Sequence, residues 1–279
     1  MNPAYPRLFV TDLDGTLLTD SQEISPVTRR ALDAFISRGN YFSISTGRAL
    51  ESAQTVQRTM HLAYPGSFII SYNGAHILDT DSGQTIFRTG IPLPVVAEIQ
   101  QLAQSMQVHC QTYSDTHIIA PEINECVRRY TSYIKTPVLV AENLAEALSE
   151  PPCKMLGLDL SDHEKLEAFR RVILERWGDI LTCTYSNPLY LEIIRKEAGK
   201  GQAVRRICEH LHIPVENAIA AGDGLNDISM IEAAGLGIAM CNGDPAVIRA
   251  ADAVTAADNN HDGLAPFLQL PGVKRDGSL

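Results

Sequence analysis

Short apolar runs alternate with helical patterns at both ends of the chain, and no other feature constrains its fold as much. Near the start, "LFVTDL", "SPVTRRALDAFISRG" and "YFSIST" read as strand, helix and strand. Much later, "GQAVRRICEHL", "AIAAGDG", "LGIAM" and "DAVTAA" resume the rhythm. Such alternation predicts an α/β fold, a parallel sheet covered by helices. The first helix is well delimited: Ser25 as N-cap, Pro26 at the first helical position, Val27, Ala31, Leu32, Phe35 and Ile36 on one face, and Gly39 as the stop.

The middle of the chain has a different texture. From about residue 87 to 187 come a helix ("LPVVAEIQQLAQSMQ"), a hairpin-like pair ("VHCQTYS", "THIIA"), shorter helices, the strand "KMLGLDL", a long helix and the strand "ILTCTYS". With 279 residues, two domains are expected. The division is then a discontinuous core, residues 1–86 and 188–279, interrupted by an α+β insert over 87–187. In this reading "SYNGAHILDTDSGQTIFR" is a hairpin at the exit from the core and "LYLEIIR" the strand of return.

Composition narrows the partners. The net charge of −10 repels nucleic acid and anionic membrane surfaces, and no Lys/Arg run creates a local exception. Six scattered cysteines without a C-x-x-C pair fit reduced thiols. No stretch approaches the roughly 18 apolar residues of a membrane span, and "MNPAYPRLFV" has no signal-like apolar region. A cytoplasmic location is expected.

The segment "FVTDLDGTLL" ends an apolar strand by placing Asp12 and Asp14 at its tip. A carboxylate can attack phosphorus and form an acyl-phosphate, splitting one hard hydrolysis into two easier displacements. A second carboxylic acid can protonate the leaving oxygen and then deprotonate the attacking water. Two carboxylates repel a phosphate, so the pair predicts a divalent cation, and hard oxygen ligands suit Mg²⁺. The plainer alternative is a polar strand end followed by a turn.

Three later segments supply complementary groups. "FSISTGRA" ends a strand in Ser45, Thr46, Gly47 and Arg48, where a hydroxyl and free N–H groups suit phosphate oxygens; a simple helix cap would look similar. "EAGKGQAV" offers Lys200 as a point charge for a transferring phosphoryl group, although a lone lysine is usually a surface residue. "AAGDGLNDISM" puts Asp223, Asn226 and Asp227 after an apolar strand, where open α/β sheets bind ligands.

In this order, these segments resemble the four motifs of the haloacid dehalogenase superfamily. Within it the chain is similar to the Cof-type phosphatases through "TDLDGTLL", "STGR", "SYNGA", "GKG", "GDGLNDISMIEAAGLGIAM" and "HDGLAPFL". The resemblance implies a Rossmann-like core with an α/β cap inserted after the second motif. It implies Asp12 as nucleophile and Mg²⁺ ligand, Leu13 contributing only its backbone, and Asp14 as general acid/base and a ligand through its carbonyl. Thr46, Gly47, Arg48, Lys200 and Asn226 would serve the phosphate. Asp223 would complete the metal centre, with Asp227 supporting it.

The implied activity is Mg²⁺-dependent hydrolysis of small phosphorylated metabolites through an aspartyl-phosphate. Asp14 argues against a P-type ATPase, which carries threonine there. One departure leaves a rival open: relatives show Pro-x-Gly-x-x-Lys where this chain reads "RKEAGK", so Lys196 competes with Lys200. A phosphomutase and a non-catalytic phosphometabolite-binding protein are the alternative functions. A bisphosphate activator, or phosphate release from a generic aryl phosphate, would separate them.

Overall fold

The computed structural model describes residues 1–269 apart from 3, 4 and 135. The part of the expected core beyond residue 269 lies outside the described residues. Among the latter, one sheet carries eight strands: β1 (Leu8–Thr11), β2 (Tyr41–Ser45), β3 (Ser67–Ser71), β4 (His76–Asp79), β5 (Thr85–Arg88), β12 (Ala218–Gly222), β13 (Leu236–Ala239) and β14 (Ala253–Val254). Their order is β14-β13-β12-β1-β2-β3-β4-β5. The pairings from β14 to β3 are parallel, whereas β4 and β5 close the edge as an antiparallel hairpin.

A second sheet, of six described strands, is built from β6 (His109–Tyr113), β7 (Ile118–Ala120), β8 (Val138–Val140), β9 (Lys154–Leu158), β10 (Leu181–Asn187) and β11 (Tyr190–Arg195). Its order is β10-β11-β9-β6-β7-β8. The sequence boundary at 187/188 therefore falls inside this sheet. "LYLEIIR" does not return to the core: Tyr190–Arg195 pairs antiparallel with both β10 and β9. Likewise Arg88 still belongs to the core hairpin through its pairing with His76. A strand's period of two shows which residues face inward but does not name the neighbour it pairs with.

Helices cover both sheets. In the core, α1 (Pro26–Ser37) begins where the Ser25 hydroxyl accepts from Thr28 N at 3.1 Å, and Gly39 at φ +80° lets the chain leave in the left-handed region. Ala31, Leu32 and Phe35 are buried, with Phe9 and Phe35 meeting edge to face at 6.1 Å. Thr28 takes the inward position in the first turn and leaves Val27 39% exposed, unlike the expected face. The remaining core helices are α2 (Leu50–Thr59), α6 (Lys200–His210), α7 (Ile228–Ala233), α8 (Pro245–Ala250) and α9 (Ala265–Gln269). In the insert, α3 (Leu93–Ser105), α4 (Glu125–Tyr133) and α5 (His163–Trp177) accompany the second sheet, whose core includes Ile99, Leu166, Phe169 and Ile193.

Each such buried side chain removes apolar surface worth about 1.5–3 kcal/mol. All six cysteines are free thiols. No helix among the described residues is long and apolar enough to cross a membrane.

Candidate active site

Three neighbouring parallel strands deliver the site. β1 lies between β12 and β2, with Thr11 in register with Ala221 and with Ile44. All three strands end at one edge, so Asp12, Asp223 and Thr46, each following a strand's last residues, arrive together. The anchor is direct: Asp12 N donates to Ala221 O at 2.9 Å. The next residue, Leu13, is wholly buried in the core and contributes its carbonyl to the turn, accepting from Leu18 N at 2.9 Å.

Asp12, Asp223 and Asp227 converge, with one carboxylate oxygen of each within 4.8 Å of the others. Burial pushes the Asp12 carboxyl well above its ordinary 3.8; Lys200 opposes that shift, and Asp227, Asp223 and Asp14 reinforce it. Asp223 is pushed up to about 6, chiefly by burial, although the Thr16 hydroxyl donates to its Oδ1 at 2.6 Å. Crowded carboxylates of this kind fit a hard divalent cation, whose charge would relieve their repulsion.

Asp227 occupies a different position. Its Oδ2 accepts from Asp223 N at 3.0 Å and Gly224 N at 2.9 Å, while its Oδ1 accepts from Lys200 Nζ at 2.5 Å. With both oxygens engaged, it organises the loop beneath Asp223.

Lys200 opens α6 and is fully buried at its ammonium. Its Nζ donates to Asp12 Oδ1 at 2.7 Å, Asp227 Oδ1 at 2.5 Å and Ser45 O at 3.1 Å. Burial pulls the ammonium's pKa down, but the two aspartates outweigh it and hold the group protonated. Lys196 points elsewhere, donating to Gly178 O at 3.0 Å. The geometry therefore puts Lys200, not its rival, beside Asp12.

Asp14 is held away from that cluster. Arg48 grips it with two bonds, Nε to Oδ2 at 3.0 Å and Nη2 to Oδ1 at 2.5 Å, and Gln22 adds a third at 3.2 Å. Thr46 is buried, and its hydroxyl accepts from Arg48 N at 3.2 Å. Asn226 donates to Asn73 Oδ1 at 3.0 Å.

Sequence reasoning assigned no role to Thr16, Gln22 or Asn73. Thr16 belongs to the quoted D-x-D-G-T run and Asn73 to "SYNGA", and Asn73 adopts φ +54°, a conformation asparagine tolerates better than most residues. Gln22 lies just past the first motif, eight residues beyond Asp14, where nothing in the local pattern marks it.

Above these groups lies a chamber of about 1010 Å³ between the two sheets' domains. Its floor includes Asp12, Thr46 and Asp223, and its roof is Arg129, Tyr130, Tyr190 and Glu192 from the insert. A model of the haloacid dehalogenase-like hydrolases matches residues 9–268, covering every motif quoted above. The chain belongs to that family. The insert, whose residues roof the chamber, forms a cap over it.

Relatives agree along nearly the whole length. A Bacillus subtilis 5-amino-6-(5-phospho-D-ribitylamino)uracil phosphatase, YitU, is 31% identical, with 95% of this chain and 97% of the relative covered. Pyridoxal phosphate phosphatase YbhA of Escherichia coli is 28% identical over 94% and 97%. Among solved structures, a haloacid dehalogenase-like hydrolase from Bacteroides thetaiotaomicron superposes with a TM-score of 0.84 at 27% identity, over 95% of this chain and 99% of that one.

Proposed function

We propose that this hydrolase cleaves phosphomonoesters of small metabolites, with Mg²⁺, through an aspartyl-phosphate on Asp12. The observation that carries the reading is the Asp12 carboxylate at the chamber floor, 2.7 Å from a buried ammonium and converging with Asp223 and Asp227. An Asp12 oxygen attacks phosphorus, and the bond from phosphorus to the leaving oxygen breaks. Lys200 balances charge on the phosphoryl oxygens, an interaction that counts for more where water is excluded.

Asp12 and Asp223 would hold the cation, which supplies charge neutralisation for the phosphate. The relatives' names, both phosphatases of small phosphorylated compounds, support the same class of substrate. So does a chamber at the upper end of typical small-molecule sites.

Asp14 serves as the acid for the leaving oxygen and then as the base for a water that attacks phosphorus, breaking its bond to Asp12 and releasing inorganic phosphate. Its carboxylate is clamped by Arg48. A phosphate dianion competes for the same guanidinium, and transfer of Arg48 to it frees Asp14 to carry a proton.

The test is Asp12→Asn, which keeps the volume and removes the attacking charge. Turnover of a panel of phosphorylated metabolites should vanish, and acid-quenched parent enzyme should carry phosphate on Asp12 that the variant lacks. Turnover of the folded variant within about tenfold of the parent would exclude Asp12 as nucleophile.

A further inference from the structure

Lys154 is a charged residue where none is expected. It sits on β9 in the cap sheet and is 1% exposed. Burying an ammonium is costly unless its donors are satisfied. The ammonium is ion-paired with Glu192, 2.7 Å from Oε2, and stands 4.8 Å from the centre of the Tyr113 ring. Those partners lie in the cap. Another contact leaves it: Nζ donates to Gly47 O at 2.8 Å, in the core.

The identity of that acceptor matters. Three consecutive carbonyls define the turn at residues 46–48. Thr46 O accepts from Asn73 N at 3.0 Å and Arg48 O from Tyr72 N at 2.9 Å, so the core itself holds the outer two. The middle one, Gly47 O, is held by the cap's lysine. In a planar trans peptide the carbonyl and the following N–H point in opposite directions, so fixing Gly47 O also aims Arg48 N–H. That N–H donates to the Thr46 hydroxyl, which lines the chamber.

We infer that Lys154 is a positioning residue that carries the cap's placement over the chamber into the geometry of the turn at residues 46–48. The inference rests on the reading of that turn as phosphate-binding. When the cap is seated, Lys154 completes the third hold on the turn and orients the Gly47–Arg48 peptide. When the cap lifts, the middle carbonyl loses its partner while the outer two keep theirs. Glu192 extends the link, because it pairs with Lys154 and also lines the chamber roof. A leaving group seated against Glu192 thus favours the arrangement that shapes the phosphate end.

A merely structural ion pair would behave otherwise, since a buried pair can often be replaced by uncharged residues at little cost. The experiment uses Lys154→Met, Lys154→Arg and the double variant Lys154→Met/Glu192→Gln, which leaves no orphaned buried carboxylate and keeps the question open to test if the single variant does not fold. Amide hydrogen exchange of residues 46–49, calorimetric binding of inorganic phosphate with Mg²⁺, and kcat and KM for acetyl phosphate are measured on folded protein.

Loss of one charge-assisted hydrogen bond should speed Arg48 amide exchange and weaken phosphate binding by about tenfold each, with kcat falling for acetyl phosphate, a substrate too small to span the chamber. Lys154→Arg should recover part of each. Exchange at 46–49 and phosphate affinity both within about twofold of the parent, in a folded double variant, would overturn the inference. If the parent binds no phosphate, the phosphate-site reading fails instead, and the exchange measurement still decides whether Lys154 holds the turn.

Discussion

Lys200 Nζ lies 2.7 Å from Asp12 Oδ1 across 188 positions of sequence, and the same ammonium reaches Asp227 at 2.5 Å. One buried cation thus ties the end of β1 to the loop after β12. Lys200→Met leaves buried Asp227 and partly buried Asp12 without their counter-charge, so stability should fall by about 3–5 kcal/mol. Activity per folded molecule should fall at least about a hundredfold. Lys196→Met, altering a side chain that caps Gly178 O, should stay within about twofold of the parent. Thermal melting and kcat/KM on both variants check the pair, and the reverse ranking would return the phosphate role to Lys196.

The carboxylate cluster predicts its own metal response. Chelation should abolish hydrolysis and added Mg²⁺ should restore it, whereas Ca²⁺, with longer and looser coordination, should bind and inhibit. Full activity in chelator would remove the cation from the account.

Gly15 should control that response. It sits at φ +75°, and a Cβ there would lie 2.6 Å from Asp223 Oδ2. Gly15→Ala should therefore raise the Mg²⁺ concentration needed for half-maximal activity, besides the roughly 1–2 kcal/mol of left-handed strain. Gly39→Ala is the control: φ is +80°, but no atom lies within 4 Å of the new Cβ. It should lower stability alone, and a Mg²⁺ titration identical in the two variants would refute the steric argument.

The cap should show acid sensitivity at Asp159. Burial alone would raise this carboxyl, but hydrogen bonds from Lys165 at 2.5 Å and from Ser161 and Asp162 outweigh it and lower the value to about 2. A lowered folded value stabilises above the ordinary 3.8, and that stabilisation is lost as pH falls toward 2. Asp159→Asn should thus be destabilising at pH 6, with the difference from the parent shrinking between pH 4 and 3. Urea unfolding across that range checks the sign, and a penalty that grows on acidification would contradict it.

Local grammar made much of this molecule readable from its residues. The strand tip bearing Asp12 and Asp14, the Ser25 cap and the Gly39 stop depend on neighbours a few positions away, which is the range over which backbone propensity and turn chemistry act. The family's motifs were equally legible, because residues 9–268 keep each one at an element junction. Other features required the folded chain. Tyr190–Arg195 has the alternation of any half-buried strand, and only pairing with β9 and β10 assigns it to the cap. Lys196 and Lys200 differ by about one helical turn in sequence, yet only burial beside Asp12 distinguishes them. Lys154 carried no signal at all. Its meaning comes from a hydrogen bond to Gly47, 107 residues away, which exists because two distinct sheets face each other across one chamber.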